Sequence, residues 1–144
     1  MWDACIRTFL DEVWVATILC CHSLCERELA GVLSLSRACL NGQLPKNWER
    51  LGLGGLLGLI ERHNLLPSDL IHDLRTLGAA RKPYGHWRSA AEPDSLMQRI
   101  RAEYEESGGD PDDLAERLVV RDATNAMVTT IKLYFGGYVF AASS

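Results

Sequence analysis

Residues 3–30, DACIRTFLDEVWVATILCCHSLCERELA, contain neither Gly nor Pro. Apolar side chains recur at Ile6, Phe9, Leu10, Val13, Ala16, Cys20, Leu24 and Cys25. That spacing of three and four marks one buried face of an α-helix, so the stretch predicts a long opening helix. Val32 to Leu40 continues or restarts it after Gly31, and the chain then turns at Asn41-Gly42-Gln43-Leu44-Pro45.

The same periodicity extends outward. Leu53 to His63 reads as a second helix, weakened by Gly54, Gly55 and Gly58, which are tolerable where another helix packs very close. Pro67-Ser68 opens the next helix, striped by Leu70, Leu74 and Leu77, with Arg81 one turn further along the stripe. Pro83 either kinks this helix or starts another. A loop-rich segment, 88–113, carries one short amphipathic helix from Asp94 to Glu106. Asp110-Pro111-Asp112-Asp113 is then a strong helix start, with an N-cap Asp, Pro at the first position and acids facing the dipole. Leu114, Leu118, Ala123, Ala126, Met127, Thr130, Ile131 and Tyr134 stripe the closing helix, which stops at Gly136-Gly137. No strand pair and no repeat emerges. The expectation is all-α: a single domain over residues 1–144, a bundle of four to six helices.

Composition bounds the function. Hydrophobic residues are 47% and charged residues 24% of 144, enough for a packed core. A net charge of −4 argues against coating nucleic acid by bulk charge, but not against a local basic site. Charge is unevenly placed. Arg75, Arg81, Lys82 and Arg88 stand in a stretch with no carboxylate, and Glu103 to Glu116 holds seven carboxylates and no cation. The five cysteines, Cys5, Cys20, Cys21, Cys25 and Cys39, are odd in number and confined to the first third, unlike a disulfide framework. Asp3, Asp11 and Glu12 are unlike a signal peptide, and the longest apolar run, Val13 to Cys21, is far below the ~20 residues of a membrane span. These features predict a soluble cytoplasmic protein.

Arg81-Lys82-Pro83-Tyr84-Gly85-His86 is the segment that carries chemistry. It follows an apolar helix, contains a helix breaker and precedes Trp87. In that context it resembles the HEPN superfamily, small helical bundles marked by Arg, four to six residues, then His, with Asn and Pro commonly following the Arg. Here the Arg, Pro and His are present, and Lys82 stands where Asn or another polar residue is usual. Residues 21–30 look like the early helix of such bundles, and Leu114 to Tyr134 like the closing one. The resemblance implies a metal-independent endoribonuclease without cofactors, working at a homodimer interface. It implies biology as a toxin or anti-phage effector restrained by an antitoxin or other partner protein.

The residues suit that chemistry. His86 has the side chain that both takes and gives a proton near neutrality. Arg81 offers a planar, permanently charged fork to phosphorane oxygens. Lys82 and Arg88 are candidate phosphate contacts, and Tyr84 and Trp87 candidate stacking platforms for a base. On a straight helix, residues five apart lie about 140° from each other, so Arg81 and His86 need either the Pro83 kink or a second copy to converge. The resemblance also implies that Glu26 or Glu28, from the early helix, orients His86 or holds Arg81; a solvated charged face is the other reading. Cys21, Cys25 and His22 could bind zinc, but paired Cys-x-x-Cys loops are missing and core packing is favoured. The alternative function is a catalytically inactive helical module that dimerises or binds a protein or nucleotide, and Lys82 is the residue that raises it.

Overall fold

The computed structural model describes residues 1–40, 42–85 and 95–138. Within them the chain is all-helical: α1 (Trp2–Leu10), α2 (Trp14–Ser36), α3 (Leu53–Arg62), α4 (Ser68–Gly85), α5 (Leu96–Ser107) and α6 (Pro111–Phe135). Two short 3-10 turns, Arg37–Leu40 and Trp48–Arg50, lie between α2 and α3. Among the described residues no helix is long and apolar enough to cross a membrane.

The long opening helix is divided. Glu12 adopts a left-handed conformation, φ 58°, and ends α1. The Glu12 amide donates to the Phe9 carbonyl at 3.1 Å and the Val13 amide to the Thr8 carbonyl at 2.8 Å. These are the two crossed bonds of a Schellman motif, usually closed by Gly at the left-handed position. Here Glu occupies it, so the break carries no glycine or proline signal. The turn lets α1 fold back on α2 and bury Cys5.

α2 runs through Gly31 without a restart and is the centre of the bundle, packing against α1, α3, α4 and α6. Ile18, Leu29, Leu33, Leu56, Leu57, Ile60, Leu74 and Leu114 have under 2% of their surface exposed. Each such side chain contributes roughly 1.5–3 kcal/mol through loss of apolar surface from water. Cys5, Cys21 and Cys25 are wholly buried in the same core. Cys21 donates to Met127 and Cys25 pairs with Thr130, both at 3.5 Å. The Cys5 thiol is raised far above its usual range, by its hydrogen bond to Cys21 first and burial second. Burial pushes Cys25 up to about 12. Such thiols behave as small hydrophobes rather than nucleophiles.

The α6 start takes the form its residues encode. The Asp110 carboxylate accepts from the Asp112 amide at 2.8 Å and Pro111 is the first helical residue. α5 begins with Ser95 as N-cap, its hydroxyl accepting from the Gln98 amide at 3.2 Å. The glycines of α3 are not explained by a close neighbouring helix. A Cβ on Gly54 or Gly58 would meet nothing within 4 Å, and the three atoms nearest to one on Gly55 all belong to Leu51, just before the helix. For Gly54 and Gly58, open space replaces the expectation of close helix packing. Pro83 lies inside the last turns of α4, which continues to Gly85.

Candidate functional site

α4 packs against α2 and α3 on one side and α6 on another, and its polar residues divide accordingly. Arg75, Gly78, Arg81 and Lys82 recur at helical spacing and line a cleft toward α2 and α3. α2 contributes His22 and Glu26, one turn apart, and the start of α3 contributes Gly52, Leu53 and Gly54. The cleft encloses about 380 Å³. Arg75 is tied to Glu61 on α3 by a salt bridge.

Glu26 is fixed in place from another helix. Its Oε2 accepts a hydrogen bond from the Leu53 amide at 3.1 Å, satisfying one of the open donors at the first turn of α3. The same oxygen stands 3.9 Å from His22 Nδ1. His22 is only 9% exposed. Its pKa lies below the ordinary 6.5, because burial disfavours the charged ring and the Arg81 charge repels it, with Glu26 pulling the other way. The uncharged ring is thereby favoured over the charged one.

Tyr84 is directed toward α6 instead. Its hydroxyl donates to Asp122 Oδ2 at 3.2 Å. Asp122 is 6% exposed and also accepts two bonds from the Arg99 guanidinium of α5, at 2.7 and 3.0 Å. Burial, then the Asp122 charge, pushes the phenol up to about 12, so Tyr84 remains a donor. Three helices meet at this knot. It holds α5, which has no fully buried residue, against the bundle.

Of the residues picked out in the sequence, Arg81, Lys82 and Glu26 are therefore brought to one cleft, and Tyr84 is not among them. Glu28 does not line the cleft; burial raises its carboxyl, with Arg27 opposing. His86, Trp87 and Arg88 lie outside the described residues. His22 is the residue that sequence reasoning passed over, having weighed it only beside the cysteines. The available signal was the four-residue spacing of His22 and Glu26 on a helix whose later turns face α4. Among the described residues no group of three or more His, Cys, Asp or Glu is placed to hold a metal ion.

Fold and site together define a class: an all-α bundle with a cationic, imidazole-bearing cleft between its second, third and fourth helices. No protein-family model, no curated protein and no solved structure matches the chain.

Proposed function

We propose that this protein is a metal-independent endoribonuclease of the HEPN-like kind, with Arg81 at the centre of its site. The observation that supports the reading is the grouping of Arg81 and Lys82 with His22 and Glu26 around one cleft. In the proposed reaction the RNA 2′-hydroxyl attacks the adjacent phosphorus as its proton is removed. The bond to the 5′-oxygen breaks, and that oxygen is protonated. Arg81 neutralises the phosphorane oxygens and Lys82 holds a flanking phosphate. His86, by its place in the motif, transfers the proton. The products are a 2′,3′-cyclic phosphate and a 5′-hydroxyl. Nothing in this route calls for a bound metal or cofactor.

The reading includes a homodimer with the two Arg81–His86 segments facing across a two-fold axis, and a cytoplasmic toxin or anti-phage role restrained by a partner protein. Expression in a bacterial host tests it: growth arrest with the wild-type chain, relieved by His86→Ala at equal protein level. If both chains, or neither, arrest growth, the inactive helical module becomes the better account.

A further inference from the structure

One imidazole lines the cleft, that of His22 on α2. His22 Nδ1 is turned toward Glu26, whose carboxylate is itself pinned by the Leu53 amide. A carboxylate beside Nδ1 favours the tautomer with its proton there. Nε2 then carries a lone pair and acts as an acceptor. The ring lines the same cleft as Arg81 and Lys82. The cavity falls at the small end of ligand sites, roughly 300–1,000 Å³, which suits one nucleotide rather than a folded partner.

We propose that this cleft seats one nucleotide unit of the RNA strand, with its phosphate on Arg81 and Lys82 and its ribose 2′-hydroxyl donating to His22 Nε2, so that His22 is the residue that tells RNA from DNA. The inference rests on the ribonuclease reading and names a specificity determinant within it. The chemistry fits in three ways. Only ribose offers a donor hydroxyl at the 2′ position. An uncharged imidazole accepts where a protonated one would not, and burial together with the Arg81 charge disfavours the protonated ring. A nearly buried acceptor left unpaired by a deoxy sugar penalises the wrong ligand.

Uncleavable probes test this directly. Adenosine 3′-monophosphate and its 2′-deoxy counterpart are titrated into the full chain, with the His22 ring followed by NMR and affinity measured in parallel. The ribonucleotide is expected to move the His22 ring signals and to bind about tenfold more tightly than the deoxynucleotide, the weight of one hydrogen bond. In His22→Ala the preference should shrink below about twofold, and in His22→Gln, which keeps an acceptor, part of it should return. His22 signals that stay in place, a wild type that binds neither nucleotide, or a His22→Ala protein with its full ribose preference would each overturn the inference. RNA cleavage by the wild type is scored separately. Nucleotide-induced shifts at His22 without cleavage would sink the ribonuclease reading and leave the ribose site. Cleavage with His22 unmoved would do the reverse.

Discussion

Glu26 and Leu53 are joined across two helices: the carboxylate on α2 accepts the amide proton at the first turn of α3, at 3.1 Å. The contact caps α3 from outside, because its own N-cap position is Gly52, which has no side chain to do so. Glu26→Ala is expected to cost about 1 kcal/mol, the usual weight of a lost cap. Glu26→Gln, which keeps an acceptor oxygen, should lose less than half of that. Urea melts of the two variants beside wild type check the order; equal losses would mean that charge rather than the hydrogen bond matters there.

The depressed His22 pKa makes stability depend on pH with a definite sign. Folding holds the ring below its unfolded value of 6.5, so the unfolded chain binds the extra proton first. The contribution is fully present above pH 6.5 and is lost as pH falls from there through the folded pKa. Arg81 from α4 enforces this and Glu26 from α2 opposes it; Lys82 and Arg75 are the other charged groups lining the cleft. His22→Gln should flatten the fall in melting temperature between pH 7 and 5, and Glu26→Gln should steepen it.

Tyr84, Asp122 and Arg99 form one network, so its members should not weigh equally. Asp122→Ala strands a partly buried guanidinium and a phenol and is expected to cost about 2–3 kcal/mol. Tyr84→Phe removes one hydrogen bond and should cost about 1 kcal/mol. Tyr84→Phe should also leave nucleotide affinity unchanged, since the hydroxyl is engaged on the α6 side. Paired thermal melts and titrations read both quantities.

Gly54 and Gly58 separate propensity from function. An alanine methyl at either position meets nothing within 4 Å. Gly58→Ala should stabilise the fold by about 0.5–1 kcal/mol, the helix-interior advantage of Ala over Gly, and leave ligand binding intact. Gly54 lines the cleft, so Gly54→Ala should weaken nucleotide binding several-fold without loss of stability.

Where an element is encoded locally, the sequence alone was enough to read it. Asp110, Pro111 and the two acids after them specify the start of α6 within four residues, and the cap forms as written. The end of α1 was not legible, because Glu12 fills a position that normally announces itself as Gly, and the packing of α1 on α2 supports it there. At the site, Arg81 and Lys82 stood out through their acid-free surroundings. His22 did not, because its meaning depends on a helix that arrives 59 residues later at Arg81. The Tyr84–Asp122 bond spans 38 residues and left no local trace, so Tyr84 read as a stacking platform rather than as a structural donor.

The central claim is that Arg81 and His86 cleave RNA by internal 2′-hydroxyl attack, and end-labelled single-stranded RNA incubated with purified protein in EDTA tests it most directly. Wild type, Arg81→Ala and His86→Ala are compared, each with a thermal melt to show that it is folded. The account predicts cleavage by wild type in the chelator, fragments ending in 2′,3′-cyclic phosphate and 5′-hydroxyl groups, and loss of at least about 100-fold in rate for His86→Ala, the scale of one acid–base group. Arg81→Ala should fall as far or further. An inert wild type, cleavage that requires added metal, or a folded His86→Ala protein that cuts as fast as wild type would contradict it.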